Sequence, residues 1–293
     1  MSDTELIEKT NALCSGLDSQ SQETIHQIIS RTKAASYCPC NKFFSLEQNE
    51  IEALRKLEED FFSKLCKSDT SSSSFETYLL PIPHFEASVF YYKHGLDTFA
   101  PQTLEKIKSL DIIDVGGFIG DSALVMQDYT DKNIYSFEAT TRNYDLMLQT
   151  IALNRATRII PVKKALGASE SKLTITLCGS ASTMLESSKS IYGDQESEEV
   201  EIITLDSYVR EHHLKVGFIK VDIEGFEMEF LKGAKETICS QKPAMLISIY
   251  HQASDFFDIK PMLESWDLGY RFHIHKPIDG NISTETTLMC QVL

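Results

Sequence analysis

From residue 110 onward the chain repeats one rhythm. A short apolar run rich in Ile and Val is followed by a segment with helical patterning. The runs are "LDIIDVGG", "NIYSFEA", "TRIIPVKKALG", "VGFIKVDIEG" and "AMLISIYH". Their apolar residues do not alternate strictly with polar ones, as expected of strands covered on both faces. Strand alternating with helix predicts a mostly parallel α/β sheet with right-handed crossovers and helices on both faces. "YRFHIHK" and "TTLMCQVL" read as two closing strands. Between 172 and 204 the rhythm breaks. "KLTITLC" and "EEVEIITL" alternate and predict an extra antiparallel ribbon. The polar stretch "GSASTMLESSKSIYGDQES" between them is a candidate lid.

The segment before this region reads differently. "SQSQETIHQIISRTKAA" places Ile25, Ile28 and Ile29 on one helical face. In "SLEQNEIEALRKLEEDFFSKLCK", Ser45 and Gln48 fit a capping box. Ile51, Leu54, Leu57, Phe61 and Leu65 then recur at three- and four-residue spacing, which predicts a packing stripe. "SDTSSSSF", residues 68–75, reads as a linker, and the prolines of "YLLPIPHF" discourage helix. The expected organisation is an N-terminal helical extension with a serine-rich linker, residues 1–75, followed by one domain over residues 76–293.

Charge narrows the partners. The formal net charge of −15 repels phosphate backbones and anionic lipid, so neither nucleic acid nor membrane is expected as a partner. The first residues show no signal peptide, and no apolar run is long enough to span a bilayer. The seven cysteines are scattered, as suits reduced thiols in a cytoplasmic protein. "CPC" at 38–40 has no further ligands at metal-site spacing and reads as a turn with two free thiols.

The first strand ends in "DIIDVGGFIGDSA". Gly116 and Gly117 follow Asp114 and Val115 at once, and Gly120 opens the next helix. Glycines there let the backbone turn tightly and approach a ligand. A nucleotide at the carboxyl edge of a sheet is the chemistry this predicts. The spacing is G-G-x-x-G rather than the dinucleotide G-x-G-x-x-G. Asp114 and Asp121 flank the turn, and paired acids suit a cation better than a pyrophosphate. S-adenosylmethionine carries a sulfonium, an α-amino group and no phosphate, and Asp114 is expected to accept from that amino group, directly or through water. Glu138, at the end of "IYSFEA", lies where a carboxylate accepts from ribose hydroxyls.

"FIKVDIEGFEMEFLKGA", residues 218–234, puts Lys220 and Asp222 at the end of an apolar strand. Such charges must be at an edge, paired, or facing a site. A Lys–carboxylate structural network is an equal reading for Lys220 and Glu227. With "DVGGFIGDSA", "YSFEA", "ITLDSY" and "ISIYH", in this order, this run resembles the FkbM family of S-adenosylmethionine-dependent methyltransferases. The resemblance spans about residues 108–276. It implies a class I methyltransferase (Rossmann-like) fold, a seven-stranded sheet whose last strand is antiparallel. It also implies O-methylation, often of sugar hydroxyls. By position it assigns Gly116, Gly117, Gly120 and Asp121 to the cofactor loop, Glu138 to the ribose and Asp222 to the methyl group. Phe118 departs from the family, which often has Ala-Asn after the first glycine.

A sugar hydroxyl is a poor nucleophile, so a base or a metal should help remove its proton. The candidates at the ends of strands four and five are Asp222, Glu224 and His251, and His251 is equally well read as a solvated loop residue. A divalent metal on Asp222 is the less favoured route, because strand five offers no second carboxylate, and no metal ligands are assigned. His273 and His275 share a strand face but lack a carboxylate partner. His212 and His213 read as solvated at a helix end. The expected acceptor is a small molecule or glycan, selected by the N-terminal helices and residues 178–198. A non-catalytic cofactor-binding scaffold or sensor is the alternative, and an NAD-dependent oxidoreductase a weaker one. The oligomeric state is not written in the sequence.

Overall fold

The computed structural model describes residues 1–37, 45–67, 73–178, 181–183 and 197–293. The seven runs expected as strands form one sheet: β1 (Asp111–Val115), β2 (Ile134–Phe137), β3 (Ile159–Val162), β4 (Val216–Val221), β5 (Ala244–Ser248), β6 (Arg271–His275) and β7 (Thr287–Gln291). Their order is β6-β7-β5-β4-β1-β2-β3. β7 runs antiparallel to β5 and β6, and every other pairing is parallel.

Strand periodicity sorts the apolar residues into two cores. Ile113, Val115, Ile219, Val221, Met245 and Ile247 face one layer, while Ile112, Phe218 and Leu246 face the other. This is the two-residue alternation of a pleated strand buried on both sides. Asp114 and Lys220 belong to the second row, and paired register sets them side by side across β1 and β4.

Besides a single turn at Ala87–Phe90, the described α-helices are α1 (Asp3–Cys14), α2 (Ser19–Tyr37), α3 (Gln48–Asp60), α4 (Pro101–Lys108), α5 (Asp121–Met126), α6 (Thr141–Asn154), α7 (Leu205–His212), α8 (Glu227–Gly233), α9 (Lys235–Gln241) and α10 (Ala253–Glu264). No described helix is long and apolar enough to cross a membrane. The N-terminal helices pack at the β6 end of the sheet, α1 on α10 and α2 on β6. Ile25 and Ile28 are buried there as expected. Lys9 pairs with Asp258 at 2.6 Å, and the buried Ser21 hydroxyl accepts from the Ile274 amide at 2.9 Å.

Three local expectations are corrected. The α3 capping box is closed by Glu47 and Glu50, not Ser45 and Gln48, because the helix starts at Gln48. Glu50 accepts from the Glu47 amide at 2.8 Å and also takes the Arg31 guanidinium. Of the α3 stripe only Leu57 and Phe61 are buried, and Ile51 is exposed. Within the expected linker, Ser73–Phe75 is a strand paired with Cys66–Lys67 and Tyr78–Leu80. Phe75, buried among aromatic rings, anchors it. The alternating runs do form an antiparallel ribbon, Ser171–Cys178 on Ser197–Ile203. "CPC", residues 68–72 of the linker and most of the candidate lid (179–180 and 184–196) lie outside the described residues.

Candidate functional site

At the carboxyl end of β1 the chain turns through Gly116 with φ +80°. A Cβ there would overlap the Asp222 carbonyl oxygen, so the turn rests directly on the exit of β4. Lys220 ties the two together. Its Nζ donates to the Gly116 carbonyl at 2.8 Å and lies 3.3 Å from Asp114 Oδ1. Burial alone would lower the Lys220 pKa, but the charges of Asp114, Asp222 and Asp121 hold it above the ordinary lysine value. Ser136 donates to the other Asp114 oxygen at 2.6 Å.

Asp114 is therefore a buried strut, with 0% exposure, and its expected direct contact to an amino group is corrected. Gly117 and Gly120 also act inside the protein. A Cβ on Gly117 would overlap Ser136 Oγ, and Gly120, at φ +84°, admits the chain into α5. Of this loop, Gly116, Phe118 and Asp121 line the cavity that opens above the sheet.

Glu138 lines the same cavity from the end of β2. Its Oε1 accepts from the Thr140 amide at 2.8 Å and hydroxyl at 2.6 Å. Its Oε2 accepts from the Phe118 amide at 3.1 Å. Burial raises the Glu138 pKa, and these donors oppose the rise. A carboxylate offers about four acceptor positions, so about one remains for a ligand rather than one for each ribose hydroxyl. Ala165, Leu166 and Ile175 add an apolar wall beside it.

The other end of the cavity is crowded with acids. Glu86, Asp121, Asp222, Glu224 and Glu285 all line it. Burial and the Glu86 charge push Asp121 up to about 7. Burial and the charges of Asp222 and Glu86 push Glu285 up to about 7. Tyr250 bridges the two elements, donating to Glu285 Oε1 at 3.2 Å and facing Asp222 Oδ1 at 3.4 Å. Buried His94 also lines the cavity, 2.9 Å from Ser122 Oγ. Burial and the Lys220 charge lower its pKa to about 3, so it is neutral.

His251 is not in the cavity wall. It stands behind Asp222, with Nδ1 2.9 Å from Glu227 Oε1 and Nε2 3.3 Å from Asp222 Oδ1. Burial would lower its pKa, but the Glu227 hydrogen bond and the charges of Asp222, Glu227 and Glu224 push it up to about 9. At neutral pH it holds its proton, so the expected role as a free base is corrected. Glu227, fully buried, also accepts from the Ile223 amide at 2.9 Å. Burial and Glu227 together push Asp255 up to about 7.

The sequence pointed to Glu138, Asp222 and Glu224 at the cavity. It missed His94, in the 3-10 turn Lys93–Thr98, Glu285, in the loop before β7, and Tyr250, just past β5. Tyr250 alone had a signal, standing beside His251 just past β5. Of the other histidines, His84 lines the cavity 2.8 Å from Glu86, His273 pairs with Asp18 at 2.8 Å, His275 packs against Gly95, and His212 and His213 are exposed at the end of α7.

A methyltransferase FkbM domain model matches residues 114–272. Among solved structures, a methyltransferase FkbM from Methylobacillus flagellatus KT is similar at 17% identity and a TM-score of 0.62, covering 98% of this chain and 59% of that one. The chain thus spans little more than half the length of that protein. Slighter likenesses are to precorrin-6y C5,15-methyltransferase from Geobacter metallireducens GS-15, at 11% identity, TM-score 0.37, and 64% and 84% coverage of this chain and that one. Fibrillarin from Aeropyrum pernix, in complex with natively bound S-adenosyl-L-methionine, gives 13%, 0.36, and 64% and 68%. No curated protein matches the chain.

Proposed function

The chain belongs to the FkbM family of S-adenosylmethionine-dependent methyltransferases and has the class I methyltransferase fold, and from this premise we propose that it methylates a hydroxyl of a sugar, glycan or glycosylated metabolite. The observation that carries the reading is the polarity of the cavity: Glu138 at one end and the Asp222–Tyr250–Glu285 group at the other. The residues present fit the cofactor. Glu138 keeps an acceptor position for a ribose hydroxyl, and the apolar wall of Ala165, Leu166 and Ile175 suits a base ring. The acids at the far end suit a cation.

S-adenosylmethionine, when bound, supplies an electrophilic methyl group: the O–CH₃ bond forms as the S–CH₃ bond breaks, leaving a neutral thioether. The chain's part is alignment and proton removal. Asp222, which lines the cavity at the β4 exit, is the carboxylate we assign to take the hydroxyl proton. Tyr250 and His251 hold its Oδ1 side. Lys220 fixes the Gly116 turn against the same exit, so the cofactor loop and Asp222 keep one geometry. A neutral or glycan acceptor also agrees with a net charge of −15, which disfavours nucleic acid.

The test is calorimetry with S-adenosylmethionine and S-adenosylhomocysteine, then transfer of labelled methyl to a panel of glycans and glycosides. The expected product is a methyl ether on one hydroxyl. Cofactor binding with methyl found only on nitrogen or carbon acceptors would overturn the reading.

A further inference from the structure

We propose that the end of the cavity between β4 and β5 is a binding site for one divalent metal ion, held by His251 Nε2 and Asp222 Oδ1, closed by Glu224, with Glu227 orienting the histidine. The site goes beyond the proposed methyl transfer and does not depend on which acceptor is used. Nε2 lies 3.3 Å from Asp222 Oδ1 and 3.7 Å from Glu224 Oε2. Metal–ligand bonds of about 2.0–2.2 Å place neighbouring ligand atoms roughly 3 Å apart. The side chains therefore stand at nearly the spacing an ion needs, and Glu224, which is half-exposed, has room to close on it.

A second observation is the histidine itself. Its side chain is only 9% exposed, and Nε2 is buried with no hydrogen-bond partner although carboxylate oxygens flank it. The opposite nitrogen faces Glu227 Oε1 at 2.9 Å, and Glu227 is in turn fixed by the Ile223 amide. A carboxylate on one imidazole nitrogen, steering the other toward an ion, is the arrangement that orients metal-bound histidines. With Nδ1 donating to Glu227, Nε2 faces two carboxylates, and in the ion-free chain it carries the proton that a bound ion would displace. Only a cation makes that placement favourable. A proton serves one contact, whereas a divalent ion bonds to all three groups.

One imidazole nitrogen with carboxylate oxygens selects a first-row ion such as Mn²⁺ or Zn²⁺ rather than Ca²⁺. Asp222 and Glu224 line the cavity and His251 lies behind them, so the ion would face the acceptor and accept a hydroxyl oxygen as a further ligand.

The full chain, stripped with chelator and dialysed, should be titrated with Mn²⁺ by electron paramagnetic resonance and calorimetry, with Zn²⁺ as competitor. About one ion per chain is expected, and saturating ion should raise the melting temperature. His251→Ala and Asp222→Asn should weaken binding at least about tenfold, and Glu227→Gln about 10–100-fold. His273→Ala, away from the site, should bind as wild type. If His251→Ala does not fold, Asp222→Asn and His251→Gln carry the comparison. Absence of saturable binding of either ion, or binding that Asp222→Asn and the folded His251 variants leave unchanged, overturns the site. Undiminished methyl transfer by chelator-treated, metal-free chain would do so too, while leaving the methyltransferase reading intact.

Discussion

At the residue scale the two ends of the cavity differ in how much they demand of a single side chain. Glu138 holds the Phe118 amide and Thr140 as well as its ligand position. Glu138→Ala should therefore weaken S-adenosylhomocysteine binding by about 1.5–3 kcal/mol, a tenfold to hundredfold change. Calorimetry on the folded variant checks this, and unchanged affinity would remove Glu138 from the site. Gly116 is stricter. At φ +80°, with a Cβ overlapping the Asp222 carbonyl, even Gly116→Ala must displace the β4 exit. Expected is loss of cofactor binding with a lowered melting temperature; a Gly116→Ala chain that binds at wild-type strength would refute the close contact. Both residues were legible in the sequence, since a glycine after a strand and an acid one strand later are local patterns. Asp114 was misread because its partner, Lys220, is more than a hundred residues away. Only the β1–β4 pairing shows that its charge is already spent on Lys220. His251 was misread for the same reason, since Glu227 reaches it from another element.

At the element scale, the succession of short apolar runs and helical segments was the most readable property. Seven apolar runs became seven strands in one sheet because short length and Ile/Val content belong to the strand itself. Boundaries were less readable. Ser45–Gln48 and Glu47–Glu50 both fit a capping box, and the start of the helix at Gln48, with Glu50 also held by Arg31, selects the second. The acceptor end of the site was partly hidden because Glu285 and Tyr250 sit on loops flanking β7 and β5. Their chemistry comes from neighbouring strands, not from spacing along the chain. The β1–β4 contact can be tested as a unit. Lys220 and Asp114 are 3% and 0% exposed, so removing one partner strands a buried charge. Lys220→Met should cost about 3–5 kcal/mol in urea unfolding. Pairing it with Asp114→Leu should recover much of that loss, because two apolar side chains leave no unpaired charge. A double variant as unstable as the single would show that the ion pair does more than neutralise Asp114.

At the scale of the whole molecule, stability should depend on pH through groups that burial has moved far from their ordinary values. His94 is buried and its pKa is lowered to about 3 by burial and by Lys220. His275, also held neutral by burial, is lowered to about 4. In the unfolded chain both titrate near 6.5. Between pH 6.5 and about 3 the unfolded state therefore binds more protons, and folding stability falls as pH falls through that window. Above 6.5 neither histidine contributes a pH dependence. The acids act with the opposite sign. Asp121, Glu285 and Asp255 are each raised to about 7, so between about 4 and 7 the folded state binds more protons and stability falls as pH rises. The two sets offset each other in mildly acidic solution, which makes the wild-type profile alone a poor test. Single variants separate them. His94→Gln should be less stable than wild type at pH 7.5, where it loses the Ser122 contact, but the gap should narrow steadily from pH 6.5 to pH 4. Asp255→Asn should show the reverse sense, gaining on wild type from pH 4 to pH 7 and holding that gain above it. Urea midpoints measured across this range check both slopes, and a His94→Gln gap that stays constant with pH would show that His94 is not held neutral in the fold.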